Sequence, residues 1–269
     1  MRALLLRGKL TILKLGGSVV TEKSEPLTPN TKAIKRLAKE IRKADSKPLI
    51  IIHGGGSYGH PLAKKYNIIG GFKKYSQRFG FSETHEAMVD LNSLIIRSLL
   101  ECGIPAFRFA PSSFVITEKG RICMFDLKAL VKALEIDLVP VLYGDVVFDD
   151  ELGFTILSGD QIAAYLAVKL DAGRIIMGID IDGVYDSDPK RDPSARLLPE
   201  LSLKDIEKIT ERVGGSRAPD VTGGMMGKIL ELKVAVEYGI DVLIVNALSP
   251  NNIYKALIGE KVVGTRIRR

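Results

Sequence analysis

The chain has 269 residues, 46% hydrophobic and 26% charged, proportions that suit a folded protein with a sizeable core and exclude a disordered or fibrous one. No stretch approaches the roughly 18 uninterrupted apolar residues of a membrane-spanning helix, and the signal-like opening Met1–Arg7 is interrupted by Arg7 and Lys9, so neither a membrane partner nor export is expected. The net charge of +7 is interspersed with acidic residues along segments such as 32–45, a solvated helix face rather than a nucleic-acid surface, with some excess available for polyphosphate ligands.

Short apolar runs alternate with longer amphipathic ones, the pattern of βαβ units around a mainly parallel sheet. Strands are expected at 11–15, 49–52, 106–109, 139–142, 174–177 and 242–245. The clearest helix covers 29–44, with Thr28 as cap, Pro29 in the first turn, and Ile34, Leu37, Ala38 and Ile41 repeating on one face. A second covers 82–100, capped by Ser82, with Met88, Leu91, Ile95 and Leu99 at helical spacing. Segments 114–117 with 121–125, and 146–148 with 154–157, read as hairpins that add antiparallel strands to the parallel core. Cys102 and Cys123 form no CxxC and have no metal-site neighbours, so they are expected to be buried reduced thiols, in keeping with a cytoplasmic location.

Glycine-rich turns follow the first, second and fourth strands, at the carboxyl ends where open α/β sheets collect ligands. In Lys14-Leu15-Gly16-Gly17-Ser18 the paired glycines let backbone N–H groups approach a phosphate and the lysine reaches toward it, unless the segment is an ordinary strand-ending turn. Lys23, farther along, is a candidate whose bland reading is an exposed lysine. The octapeptide His53-Gly54-Gly55-Gly56-Ser57-Tyr58-Gly59-His60 places three glycines straight after a strand, where their entropic cost makes sense if side chains must be absent from an anion nest. It lacks both the Gly-Lys-Ser/Thr ending of a Walker A loop and the dinucleotide G-x-G-x-x-G context. His60 then stands where an imidazole can donate a hydrogen bond, or carry a charge, to a held oxyanion. His53 reads as structural, and His85, in the first turn of a polar helix, has no evident partner.

Asp160, after Ser158-Gly159, either caps a helix or holds lysines between two phosphates. The run Asp180-Ile181-Asp182-Gly183-Val184-Tyr185, continuing through Asp188 to Lys190, lacks calcium-loop spacing and suits a nucleotide-positioning turn. Thr222-Gly223-Gly224-Met225-Met226-Gly227-Lys228 repeats the logic of an anion at a helix start beside a lysine. Phe81, Met88 and Ile156 are either core or the wall of an apolar pocket, and 70–75 is either a mobile cover or a surface loop.

Taken in this order from Lys9 to the C-terminus, these motifs resemble the amino-acid-kinase family, and the histidine ending Gly54–His60 is most similar to its isopentenyl phosphate kinase branch. The resemblance implies an α/β fold, a three-layer αβα sandwich with a mainly parallel central sheet, as one domain over 1–269 with an acceptor lobe of about 1–170 and an ATP lobe of about 171–269. It implies ATP contacts from Lys14, Gly16, Gly17, Ser18, Gly56, Asp180, Tyr185, Asp188, Lys190, Gly224 and Lys228. Gly55, Gly59, His60 and Gly159 would hold the acceptor, Lys23 would stabilise the transition state, and Asp160 would organise the lysines. The activity implied is ATP- and Mg²⁺-dependent phosphorylation of an isoprenoid monophosphate, a step of isoprenoid biosynthesis, by a homodimer.

The chemistry agrees: a phosphate monoester carries about −1.5 to −2 charge near neutrality, so the attacking oxygen needs no base. The obstacle is repulsion, roughly 4 kcal/mol per pair of unit charges 4 Å apart at an effective dielectric of 20, which a cluster of cations and N–H donors would offset. Two alternatives stand beside this reading: the same fold acting on a phosphonate, nucleoside monophosphate or acylated amino acid, and a non-enzymatic oxyanion- or nucleotide-binding protein.

Overall fold

Alternation along the first strand, β1 (Thr11–Leu15), divides its side chains between two hydrophobic cores: Ile12 joins one, Leu13 and Leu15 the other. A strand buried on both faces needs helices on both, and that requirement sets the architecture. The structure, a computed structural model, describes residues 9–22, 25–189, 191–214 and 224–269. After β1 come α1 (Gly17–Val20), α2 (Thr31–Ala44), β2 (Leu49–His53), α3 (Gly56–Lys65), α4 (Gln77–Glu101) and β3 (Ala106–Arg108). The middle of the chain forms β4 (Val115–Glu118), β5 (Arg121–Phe125), α5 (Lys128–Glu135), β6 (Val139–Tyr143), β7 (Asp145–Asp149), β8 (Gly153–Leu157) and α6 (Gly159–Lys169). The remainder forms β9 (Arg174–Ile179), β10 (Glu200–Ser202), α7 (Leu203–Gly214), α8 (Met225–Glu237), β11 (Asp241–Asn246), α9 (Asn252–Ile258) and β12 (Gly264–Arg268).

The central sheet has eight strands in the order β10-β12-β11-β9-β1-β2-β6-β3, parallel except between β11 and β12. One core joins Leu13, Leu15 and Ile51 to α2, α4 and α9, and the other joins Ile12, Ile50 and Ile52 to α5, α6 and α8. This is the three-layer αβα sandwich. Among the described residues no helix is long and apolar enough to cross a membrane.

Several local expectations change. The first long helix is capped by Asn30, whose side chain accepts from Ala33 N–H at 3.0 Å, rather than by Thr28. Pro29 is instead drawn into a bridge with Thr21, and the Thr28 hydroxyl turns to Pro26 O. α4 starts at Gln77, not at Ser82, whose hydroxyl bonds back to Arg78 O inside the helix. Buried Gln77 accepts from Lys73 and Lys74 N–H and donates to the carbonyls of Tyr66, Asn67 and Gly71, which pins the 70–75 loop to the body. The thiols are not buried: Cys102 is half-buried, and Cys123 is exposed because its strand, β5, is an outer strand of a small sheet.

The two hairpins do not extend the parallel sheet; they join each other through β4 and β7 into a separate four-stranded sheet. Asp149 ties their turns together, accepting from the N–H groups of Lys119, Gly120, Glu151 and Leu152 and from the Thr117 hydroxyl. Burial opposes the charge, but donation from Gly120, Leu152 and Thr117 outweighs it and holds the carboxyl down to about 2. A carboxyl depressed on folding stabilises above its ordinary range and loses that contribution as pH falls toward its folded value, so the stability should drain between about pH 5 and pH 2. Asp149→Asn cannot satisfy these donors and should cost about 2 kcal/mol, lowering Tm by roughly 4–8 °C at neutral pH. Thermal unfolding of the two proteins checks this, and unchanged melting at neutral pH would show that the turns hold without the carboxylate.

Candidate active site

Because β1 and β2 are adjacent and parallel, the turns after them emerge side by side. Gly54 N–H donates to Leu15 O at 2.9 Å, and Gly16 N–H donates to Gly178 O at 2.7 Å on the other side. The contact between the turns is too close for side chains: a Cβ on Gly17 would lie 2.3 Å from Gly56 N. Gly56 has φ +48, and a Cβ there would lie 2.1 Å from Thr21 Oγ1, so glycine is required twice over. Thr21 Oγ1 also accepts from Ser57 N–H at 3.0 Å, locking the second loop onto the first as it enters α3.

Strand alternation puts Lys14 on the same sheet face as Ile12, beneath α6 and α8. Its ammonium meets Asp160 Oδ1 at 2.6 Å, and Lys228 from the first turn of α8 meets Asp160 Oδ2 at 3.1 Å. The capping role is filled by Ser158, whose hydroxyl accepts from Gln161 N–H at 3.1 Å, leaving Asp160 to hold two lysines. Burial lowers the Lys14 pKa while Asp160 works against that shift. Burial alone would raise Asp160, but Lys14 and then Lys228 hold it below the usual carboxylate range, so the carboxylate stays ionised.

These groups face a cavity of about 500 Å³. Its polar wall includes Lys14, Gly17, Gly54, Gly55, Gly59, His60, Asp145, Gly159, Asp160 and Lys228; Ala63, Ile69, Met88 and Ile156 are among the residues that supply apolar wall. His60 keeps an exposed edge, and partial desolvation, followed by the nearby charges of Lys228 and Lys14, lowers its pKa, which favours a neutral ring that donates one N–H at neutral pH. Of the three apolar residues weighed from sequence, Met88 serves both core and cavity and Ile156 lines the cavity. Phe81 does not line it; it stacks on Phe148 and packs at a tilt against Phe154, at centroid distances of 5.1 and 5.5 Å. Ala63 and Ile69 were not expected, and an alanine on a short helix or an isoleucine in a turn carries no signal of its own.

The sequence profile of the amino acid kinase family matches residues 9–246. The chain belongs to the amino acid kinase family. It is similar to the isopentenyl phosphate kinase of Methanothermobacter thermautotrophicus, 44% identical over 96% of this chain and 98% of that protein. Among solved structures, an isopentenyl phosphate kinase superposes with a TM-score of 0.85 at 41% identity, over 96% of this chain and 99% of the other. The T. acidophilum isopentenyl phosphate kinase product complex gives 0.77 at 32%, over 96% and 100%. The resemblance to this branch of the amino acid kinase family therefore spans the chain.

In this amino acid kinase, of the residues expected to meet the nucleotide, Lys14, Gly17 and Lys228 line the cavity just described, whereas Ser18 and Asp180 meet on the β9 side of β1, outside its wall. Ser18 Oγ donates to Asp180 Oδ1 at 2.9 Å, joining the β1 turn to the end of β9. Tyr185 lies in the segment that follows, in a bridge with Leu197, and Asp188 is 3.6 Å from Arg191. Gly224 stands at the start of α8 with φ +74. Lys23 and Lys190 lie outside the described residues. His53 is fully buried, as a structural histidine should be. His85 lies inside α4 rather than in a first turn, and it does have a partner, Asp145, at 3.0 Å; that bond raises its pKa. The two are 60 positions apart in sequence, and neither neighbourhood announces the other.

Proposed function

We propose that this chain transfers the γ-phosphoryl group of ATP to the phosphate of isopentenyl phosphate, forming isopentenyl diphosphate and ADP. The observation that carries this reading is one cavity with a cationic, glycine-lined wall around His60 and apolar wall at Ala63, Ile69, Met88 and Ile156. That suits a small molecule with a phosphate head and a hydrocarbon tail, and relatives named for this activity support it. An acceptor phosphate oxygen attacks the γ-phosphorus in line, the bond to the β–γ bridging oxygen breaks, and ADP leaves. No proton is removed, so His60 acts as a donor to the acceptor phosphate together with Gly55, Gly59 and Gly159, and not as a base.

Lys14 and Lys228 neutralise charge between the two phosphates, Asp160 keeps them placed, and Lys23 joins them. Gly16, Gly17, Ser18, Gly56, Asp180, Tyr185, Asp188, Lys190 and Gly224 serve ATP, which divides the chain into an acceptor lobe of about 1–170 and an ATP lobe of about 171–269. The carboxylates at the cavity are committed, Asp160 to lysines and Asp145 to His85, and the described residues contain no cluster of three metal-binding side chains. Magnesium therefore suits the phosphates of ATP, where it would neutralise charge while keeping several waters, rather than a protein cage. A homodimer is supported by the outer edge of β3, which is unpaired among the described residues and where Phe107 is 53% exposed.

The test is an ADP-release assay with ATP and Mg²⁺ across isopentenyl phosphate, uridylate, acetylglutamate and a phosphonate, with a chiral γ-phosphate followed for inversion. Isopentenyl phosphate should be turned over best. Efficient turnover of another acceptor without it, retention of configuration, or tight binding with no ADP formed would each overturn the proposal.

A further inference from the structure

We infer that Arg108, Asn92 and His53 form a one-way hydrogen-bond relay that sets the orientation of the Gly54–Gly55 peptide, making all three positioning residues for the acceptor phosphate. The inference rests on the acceptor site proposed above. His53 closes β2 with the opposite strand parity to Ile52, so its ring leaves the sheet on the α4 side, fully buried and stacked on Tyr143 at 5.4 Å. Nδ1 lies 3.1 Å from Gly54 O and Nε2 lies 3.1 Å from Asn92 Nδ2.

The chemistry of the partners leaves one assignment. A carbonyl oxygen only accepts, so Nδ1 carries the proton; a neutral ring then presents a lone pair at Nε2, which needs a donor. Asn92 supplies it if its amide nitrogen faces the ring, and the Arg108 contact fixes that orientation: Arg108 Nε donates to Asn92 Oδ1 at 2.9 Å, and guanidinium has nothing to accept with. Arg108 is itself steadied on Ser93 Oγ. Each bond therefore points the same way, from Arg108 through Asn92 and His53 to Gly54 O. Burial, opposed by the Gly54 carbonyl and aided by Lys14, lowers the ring pKa to about 4, which keeps it neutral.

The consequence lies across the peptide plane. The carbonyl of one residue and the N–H of the next point in opposite directions, so holding Gly54 O against the ring turns Gly55 N–H away from it, toward the cavity that Gly55 lines. A peptide without this restraint is free to present its oxygen to a dianion, and glycines on both sides do little to prevent the flip. The relay thus reaches the acceptor phosphate from Asn92 on α4 and Arg108 on the edge strand β3, neither of which lines the cavity.

A ring that only filled the core would be indifferent to the polarity of its neighbours, and Asn92→Asp separates the two roles. Aspartate keeps the shape and still accepts from Arg108, but it cannot donate to Nε2. The ring must move its proton to Nε2, setting the Nδ1 lone pair against Gly54 O, or take up a second proton. The charged and titratable groups facing the ring are Tyr143 from β6, Arg108 from β3 through residue 92, and the introduced carboxylate on α4, while the Lys14 charge acts from the other face of the sheet. With that carboxylate present, the second proton is acquired as pH falls and the Nδ1–H bond returns.

At about pH 8 Asn92→Asp should raise the acceptor KM about tenfold or more with the ATP KM unchanged. At about pH 6, relative to wild type at the same pH, most of that defect should disappear. His53→Gln, which keeps a donor and an acceptor, should lie nearer wild type than His53→Phe, which keeps the ring packing and should show no recovery at low pH. Isothermal titration with inorganic phosphate reads the same variants without turnover, and thermal unfolding confirms that each is folded. Acceptor KM and phosphate affinity within about twofold of wild type for both Asn92→Asp and His53→Phe, or an Asn92→Asp defect equal at both pH values, overturns the relay. A wild type that ignores isopentenyl phosphate overturns the substrate assignment instead and leaves the phosphate titration to judge the relay.

Discussion

Replacing His60 with alanine is expected to lower kcat/KM for the phosphate acceptor about 10- to 100-fold while leaving the KM for ATP within about twofold, the loss of one hydrogen bond to a charged group. The ring lines the cavity beside the paired glycine loops, and partial burial with Lys228 and Lys14 nearby lowers its pKa below the ordinary 6.5. It therefore works as a neutral donor, and His60→Gln should recover most of the loss. Because the lowered titration lies below neutrality, acceptor kcat/KM in the wild type should stay flat between about pH 7 and pH 8. A decline across that window, with glutamine no better than alanine, would mean that the charged ring is the working form. Wild-type rates in the alanine variant would remove His60 from the site.

What the sequence made visible was whatever short-range periodicity encodes. The run TILKL states a doubly buried strand with one lysine in the wrong company, and that lysine lines the cavity. The glycine octapeptide announced a place where side chains are forbidden, and the backbone contact between Gly17 and Gly56 gives the reason. Decisions made by distant residues were hidden. Thr28, Pro29 and Asn30 all satisfy helix-start rules, and what selects Asn30 is the Thr21–Pro29 bridge, a contact across a loop. Gln77 reads as an ordinary polar residue until five hydrogen bonds show it pinning a loop.

The site divides in the same way. That Lys14, Asp160 and Lys228 meet follows from β1 parity and from two helices beginning above the same sheet face, none of which is a property of the individual segments. The family resemblance brought the three together; the segments alone left Asp160 as either a cap or a carboxylate between lysines. Ser158 resolves that choice physically, since a helix start with a serine already accepting from Gln161 N–H does not need the aspartate as well.

Asp160→Asn is therefore expected to have the largest effect: a loss of about 3 kcal/mol or more in stability and a fall in kcat of roughly 10²- to 10³-fold. Lys14 is only 3% exposed and has its carboxylate partner at 2.6 Å; without it, burial and the adjacent Lys228 both favour the deprotonated amine. The pH dependence has a definite sign. Asp160 is depressed by folding, so its contribution is present above the ordinary carboxylate value of 3.8 and is lost as pH falls through its lower folded value. Denaturant unfolding at neutral pH, alongside steady-state rates, measures both effects. A second variant, Lys14→Met with Asp160→Asn, removes the stranded ammonium and should regain most of the stability, because the cost of the single variant lies chiefly in a buried charge left unpaired. It should remain as inactive as the single variant. Stability regained without turnover would assign the pair's charge to phosphoryl transfer; turnover regained with both charges gone would show that the reaction does not draw on Lys14.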